Sequence, residues 1–263
     1  MKKGEKKTST PETRKKIILT LLKDNDSVST TEILKKCNAS EITIRRDLSG
    51  LEKKGLLIRV HGGAIKSSAT DNLFVYRINK NKENKEYICR TASNYINNND
   101  IIFIDCGSTL SFLSKHISKK KGLTVITNSL PIISELINFN NIKIITIGGE
   151  VDNNRKAIYG SQAERNIRQY HANKAFIGAD GISLSKGLTS YDEKEASITL
   201  KMAENADEVF LLCDSSKIEK NSFVNFAPFS IVDYVITDEK LNTKFIMEYG
   251  KHNVKLTNKI NKY

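Results

Sequence analysis

Six short apolar runs constrain this chain more than any other feature: residues 101–104, 123–126, 142–147, 175–177, 208–213 and 234–237. Each is too short for a buried helix, while the stretches between them have helical length. Strands that are apolar on both faces must be covered on both faces, so the runs predict a mostly parallel sheet between layers of helices. Ligands of such sheets collect outside the carboxyl ends of the strands. There the sequence turns small and polar, as Asp105-Cys106-Gly107-Ser108-Thr109, Thr127-Asn128-Ser129, Gly148-Gly149-Glu150, Gly178-Ala179-Asp180-Gly181 and Asp214-Ser215-Ser216-Lys217.

The first of these loops has the makings of an anion cradle. Gly107 lets backbone approach a ligand, Ser108 and Thr109 bring hydroxyls, and the following helix start leaves N–H groups free. A Gly-Ser-Thr loop by itself is more often an ordinary helix cap. Five polar loops on one sheet edge mark a site, and Lys217 supplies a counter-charge to phosphate.

The first quarter of the chain has a different period. From Ser40, a capping hydroxyl, Ile44, Leu48 and Leu51 recur at i, i+4 and i+7, leaving Glu41, Thr43, Arg45, Arg46 and Ser49 off the buried stripe. Gly55 ends that helix; Leu56, Ile58 and Val60 then alternate with Leu57, Arg59 and His61 toward a turn at Gly62-Gly63. Upstream, residues 13–24 cluster Ile17, Ile18, Leu21 and Leu22, and Thr30 or Thr31 caps a short helix with Ile33 and Leu34 that stops near Cys37-Asn38. Helix, helix, turn, helix, wing is the order of a winged helix-turn-helix.

Charge supports a nucleic-acid partner. An isolated Arg-Arg pair is usually a solvated face. Residues 1–66, however, carry 16 Lys and Arg against 8 Asp and Glu, and residues 67–263 carry 26 against 22, so a quarter of the chain holds most of the net charge of +12. Phosphate neutralisation needs that concentration. Arg45 and Arg46 are the lead base-reading candidates, since a guanidinium forks onto a guanine edge. Ser40, Glu41 and Thr43 sit at the helix start, Arg59 and His61 lie on the wing, and Asp47 is expected to fix a neighbouring arginine. Lys2, Lys3, Lys6 and Lys7 read as a basic flexible arm.

The run TIRRDLSGLEKKGLLIRVHGGA, Thr43 to Ala64, resembles the DNA-binding domain of DeoR-type bacterial transcriptional regulators, with TIRRDL on the recognition helix and RxHGGA on the wing. DCGST, TNSL, IGGE, FIGADGI and DSSK, in that order between about Tyr87 and Asp238, resemble the effector domain of the same family. The resemblance implies a domain that senses phosphorylated sugars or related metabolites, with a fold similar to ribose-5-phosphate isomerase. It implies ligand roles for Asp105, Gly107, Ser108, Thr109, Thr127, Asn128, Asp180 and Lys217. Gly148, Gly149 and Glu195 complete the candidate set.

The isomerase likeness raises an enzyme alternative. Those enzymes carry an Asp-Gly-Ala-Asp-Glu loop, a Lys-Gly segment and a glutamate base, onto which Asp180, Lys186-Gly187 and Glu195 can be laid. Ile177 stands where the first aspartate belongs, and Gly181 where the glutamate belongs. Enediol chemistry needs polar stabilisation of a developing oxyanion, which an isoleucine removes. The expectation is therefore a sequence-specific regulator, most simply a repressor of a carbohydrate operon, and not an enzyme. A sugar-phosphate isomerase with a nucleic-acid-binding head is the alternative, and a nonspecific architectural protein driven by the basic arm is a third.

The expected organisation is an arm (1–12), a winged helix-turn-helix (13–66), a linker (67–84) and an α/β effector domain with a mostly parallel sheet (85–263). The amphipathic segment 85–96, with Ile88, Ala92, Tyr95 and Ile96, is a coupling candidate as well as a core helix. Operator reading by paired recognition helices implies a homo-oligomer. No 18-residue apolar run and no signal core is present, so the expected compartment is the cytoplasm. The cysteines Cys37, Cys89, Cys106 and Cys213 lack metal-ligand spacing and read as small core residues, with Cys106 open to partial access. No metal and no cofactor is expected.

Overall fold

The structure is a computed structural model, described here for residues 10–25, 27–52, 54, 56–60, 62–66, 73–239, 243–251 and 255–257. The chain divides into two compact units, Met1–Leu73 and Phe74–Tyr263.

The first unit runs α1 (Pro11–Asp24), β1 (Ser27–Ser29), α2 (Thr30–Cys37), α3 (Glu41–Glu52), β2 (Leu57–Val60) and β3 (Gly63–Lys66). Pro11 sits where a helix start needs no N–H, and the Thr10 hydroxyl accepts from Thr13 N. Ser29, rather than Thr30 or Thr31, caps α2, because only Ser29 has a glutamate three residues on. Its hydroxyl accepts from Glu32 N at 3.1 Å, and its own N–H donates to the Glu32 carboxylate at 2.8 Å. Ile18, Leu22, Ile33, Ile44, Leu48 and Leu51 form the core with Leu57 and Ala64. The three strands pair antiparallel in the order β1-β3-β2, adding a strand to the expected wing. Gly63 is needed there, since a Cβ would lie 2.0 Å from the Val28 carbonyl oxygen. Gly55, His61, the lysines of the arm and residues 67–72 lie outside the described residues.

The second unit begins with α4 (Leu73–Asn79) and α5 (Lys82–Ala92), so the part of the 67–84 linker that is described is helical except for a turn at Lys80-Asn81. Then follow β4 (Ile101–Ile104), α6 (Leu113–Ile117), β5 (Leu123–Thr127), α7 (Leu130–Leu136) and β6 (Ile142–Thr146). A hairpin of β7 (Glu150–Asp152) and β8 (Ala157–Tyr159) leads to α8 (Ser161–Ile167) and β9 (Ala172–Ile177). After these come β10 (Gly181–Ser183), β11 (Gly187–Ser190), α9 (Glu193–Glu204), β12 (Ala206–Leu212), β13 (Val224–Ala227), β14 (Tyr234–Ile236), α10 (Thr243–Gly250) and β15 (Lys255–Thr257).

All six apolar runs are strands of one seven-stranded sheet in the order β15-β14-β12-β9-β4-β5-β6, and every pairing in it is parallel. Alternate residues feed opposite cores. Phe103, Ala175, Ile177 and Leu211 pack with Ile167, Ile198 and Met202 of α8 and α9, whereas Ile102, Ile104, Phe176 and Phe210 pack with Ile88, Leu113 and Ile132 of α5, α6 and α7. The chain starts in the middle at β4, steps outward to β5 and β6, and returns to β9 on the other flank. The loops after β4 and β9 therefore leave in opposite directions, which opens a crevice at the topological switch point. The antiparallel sheet β10-β11-β13, the β7-β8 hairpin and β15 carry no long apolar run and were not expected. Among the described residues no helix is long and apolar enough to cross a membrane.

Candidate functional sites

The solvent side of α3 is a charged ladder. Ser40 caps the helix, its hydroxyl accepting from Thr43 N at 3.3 Å and lying 2.8 Å from Thr43 Oγ1. Glu41, Ile42, Arg45 and Arg46 are exposed along one side. The Glu41 carboxylate accepts from Arg45 Nη2 at 2.6 Å, which aligns that guanidinium one turn along the helix. Ile42 escaped the sequence reading and is 74% exposed, an apolar group among charges. On the wing, the Arg59 backbone N–H donates to the Glu52 carboxylate at 3.0 Å, and its guanidinium lies 3.8 Å from the same group.

Asp47 corrects an expectation. Among the described residues it pairs with no arginine of its own helix; it accepts from Arg14 Nε of α1 at 2.6 Å, and both side chains are buried. The reason is position, since residue 47 lies beside Ile44, Leu48 and Leu51 on the stripe that faces the core. The hydrogen bond to Asp47 raises the Arg14 pKa, against the opposing effect of burial.

At the switch point, Asp105 acts as a brace. Its carboxylate accepts from Cys106 N at 2.7 Å, Thr199 Oγ1 at 2.8 Å and Gly178 N at 3.4 Å, joining the loops after β4 and β9 to α9. Burial first, then the neighbouring Glu195, pushes its pKa up to about 7. Gly107 has φ +142°, which favours glycine, and with Ser108 it is half-buried at the rim. Thr109 is buried, and its carbonyl accepts from Cys89 Sγ at 3.0 Å. Cys106 is only 3% exposed and its thiol lies 3.0 Å from the Tyr159 hydroxyl, so the partial access expected of it is absent.

Cations converge on this crevice. Lys217 Nζ donates to the Ala179 carbonyl at 2.6 Å, and Lys85 Nζ donates to Ser108 Oγ at 2.9 Å and to the Arg77 carbonyl. Burial first, then Lys217, draws the Lys85 pKa down to about 8; Arg77 and Lys80 add to this and Asp214 opposes it. Asp214 is already engaged by Asn81 Nδ2 at 3.2 Å and Ser216 N at 3.1 Å. Burial raises the Asp180 pKa, but Lys217, Arg77 and Arg155 outweigh it and hold the carboxylate below its ordinary value. Arg155 Nη1 lies 2.9 Å from Glu195 Oε2 without forming a hydrogen bond, so this buried oxygen has an ion-pair partner but no hydrogen-bond donor among the described residues. Burial raises the Glu195 pKa against the pull of Arg155.

Other expected residues make contacts within the fold. Thr127 Oγ1 donates to the Ile104 carbonyl at 2.6 Å, and Asn128 Nδ2 donates to the Ile158 carbonyl at 3.1 Å; both residues are fully buried. Gly148 N donates to Asn166 Oδ1 at 3.1 Å, and Gly149 backs onto Tyr159. The sequence reading missed Arg77, Arg155 and the role of Lys85. For Lys85 a signal existed, because it shares the i, i+3, i+4, i+7 stripe of Ile88, Cys89 and Ala92, where a charge demands a partner.

Comparison with known proteins follows the same division. Residues 14–70 match the DeoR-like helix-turn-helix domain and residues 80–239 the DeoR C terminal sensor domain. The HTH-type transcriptional regulator IolR of Bacillus subtilis (strain 168) is 32% identical over 87% of this chain and 91% of its own length. The lactose phosphotransferase system repressor of Lactococcus lactis subsp. lactis is 34% identical over 89% of this chain and 94% of its own length. The L-fucose operon activator of Haemophilus influenzae is 33% identical over 87% of this chain and 92% of its own length. Ribose 5-phosphate isomerase from Plasmodium falciparum overlaps 51% of this chain and 52% of its own at 17% identity and a TM-score of 0.38, a likeness that carries no argument about activity. With a matching helix-turn-helix, a matching sensor domain and full-length relatives that regulate transcription, the chain belongs to the DeoR family of DNA-binding transcriptional regulators.

Proposed function

We propose that this regulator represses a carbohydrate-metabolism operon and lets go of its operator when a phosphorylated sugar occupies the switch-point crevice. The observation that carries the ligand class is the approach of Lys85, Lys217 and Arg77 around the Ser108 loop. Buried like charges repel, and a dianionic phosphate relieves them. Asp180 and Glu195 face the same cations and suit sugar hydroxyls, while Asp105, Thr127, Asn128, Gly148 and Gly149 shape the walls. Repression is favoured by relatives such as the lactose phosphotransferase system repressor, whereas the L-fucose operon activator shows that the sign varies among relatives.

On the DNA side, Arg45 and Arg46 read base edges, Ser40 and Thr43 address the backbone, and Arg59 contacts it from the wing. Ile42 lies one turn before Arg45 and Arg46 and suits a thymine methyl, the apolar mark of the major groove. In a homodimer each recognition helix takes one half-site, so a ligand-driven rotation between subunits misplaces a helix. The enzyme alternative is weakened because Lys186 is exposed in the β10–β11 turn and Glu195 is held by Arg155.

The test selects duplexes from a random pool with the full-length protein, then titrates sugar phosphates against the selected duplex. The expected result is a selected sequence that binds far tighter than random DNA at matched salt and is released by one sugar phosphate. Absence of any selected sequence sinks the regulator reading, and turnover of aldose or ketose phosphates that Glu195→Ala abolishes sinks the non-enzymatic one.

A further inference from the structure

Lys85 has two partners that belong to different jobs. One is Ser108 of the candidate ligand loop; the other is the backbone carbonyl of Arg77, in the last turn of α4. Helix ends leave their last carbonyls without intrahelical partners, and a lysine that reaches one acts as a C-terminal cap. This helix of seven residues has few hydrogen bonds of its own, so one cap matters. It is also the first described element after the DNA-binding unit, beginning at Leu73, the last residue of that unit.

We propose that Lys85 is an effector-binding residue that reports occupancy to α4: an anion beside Ser108 draws Nζ away from the Arg77 carbonyl, uncapping the helix that leads to the DNA-binding unit. The inference rests on reading the crevice as an anion site. Three facts support the direction of the change. A carbonyl is a neutral acceptor and a phosphate oxygen a charged one, so the ammonium gains more from the phosphate. Lys85 lies among Lys217, Arg77 and Lys80, with Asp214 as its opposing carboxylate, so an arriving anion strengthens the pull. Asp214 is itself bonded to Asn81, in the turn between α4 and α5, which places a second contact of the same segment at the rim of the site.

The experiment compares the full-length wild type with Lys85→Met, Lys85→Arg and Ser108→Ala, using inorganic phosphate as the probe. It reads phosphate affinity by calorimetry, amide hydrogen exchange over residues 73–79, and the ratio of DNA affinities with and without phosphate. In the wild type, phosphate is expected to speed exchange in α4 severalfold. Lys85→Met loses on the order of tenfold in phosphate affinity, as expected for one charge-assisted hydrogen bond, and exchanges fast in α4 with or without phosphate. Lys85→Arg, which keeps charge and donors, restores both responses. Ser108→Ala weakens phosphate binding but leaves α4 slow beforehand, because the Arg77 bond remains; this variant decides the matter if Lys85→Met does not fold. Phosphate binding with unchanged α4 exchange in the wild type overturns the relay and leaves the anion site standing. Unaltered phosphate affinity in Lys85→Met overturns the ligand role. A wild type that binds no phosphate fails the anion-site reading itself.

Discussion

The outer face of α3 and the crevice between β4 and β9 both concentrate positive charge, yet they hold it in opposite ways. On α3 the guanidiniums stand in water, and their one ordering contact among the described residues is the exposed Glu41–Arg45 pair. In the crevice Lys85 is buried, Arg155 nearly so, and each has a short contact to a backbone or carboxylate partner. Exposed charge costs nothing to keep and is available to any phosphate; buried charge is held at a desolvation cost that a matching anion offsets. On the proposed function, the first arrangement suits salt-dependent binding to DNA and the second suits discrimination among small anions.

The sharpest way to break this contrast lies where the DNA-binding unit does bury a charge. Asp47→Ala strands Arg14 in the core, and the expected cost is roughly 3 kcal/mol of that unit's stability. Chemical unfolding followed by probes in each unit should show the transition of the DNA-binding unit moving and that of the other unit staying. If neither moves, the Arg14–Asp47 pair is not holding α1 to α3.

Arg46→Ala should do the reverse, costing on the order of 1 to 3 kcal/mol of specific operator binding while leaving the melting temperature alone. Unchanged affinity for the selected duplex would show that Arg46 is only a solvated face.

A smaller effect separates the crevice from α3 by pH. The Lys85 pKa lies near 8, below the ordinary lysine value, so its ammonium is fully present below pH 7 and is lost as pH rises through 8. Phosphate monoesters are already dianionic there. Sugar-phosphate affinity should thus fall above pH 8, by up to about tenfold per unit, while DNA affinity of the ligand-free protein, carried by arginines, stays flat. The charged groups facing Lys85 are Lys217, Arg77, Lys80 and Asp214, and Lys85→Arg should remove the dependence. A flat profile in the wild type would mean that the bound anion does not meet Lys85.

Replacing thymines of the selected duplex with uracil, one position at a time, tests Ile42 at the scale of one methyl group, about 1 kcal/mol. One position should matter to the wild type and not to Ile42→Ala. The smallest change is Glu41→Ala, since an exposed i, i+4 pair is worth only about 0.3 to 0.5 kcal/mol. An effect above tenfold on operator affinity would mean that Glu41 itself meets DNA.

Much of the fold was legible because its signals are local and periodic. Ile44, Leu48 and Leu51 announce a helix stripe, and residues 101–104 or 123–126 announce buried strands, whatever the rest of the chain does. The cap of α2 was misread by one residue, since Thr30 and Thr31 compete with Ser29 until Glu32 is weighed as the second half of a capping box. Thr127 and Asn128 read as ligand groups in the sequence, and short polar residues after a strand serve water, ligand or neighbouring backbone, so their backbone partners were not legible there. Here the Ile104 and Ile158 carbonyls accept from the Thr127 hydroxyl and the Asn128 amide group, while the buried Asn128 Oδ1 has no hydrogen-bond partner among the described residues.

The helix-turn-helix order with its basic face and a parallel sheet with polar loops at one edge could be read from the residues alone, because period, charge and turn chemistry are properties of short segments. The tertiary structure alone decided that β4 and β9 are neighbours, that Asp47 answers Arg14, and that Lys85 meets Ser108. Such pairings join residues 23 to 73 positions apart, and no local rule of propensity or spacing reaches across them.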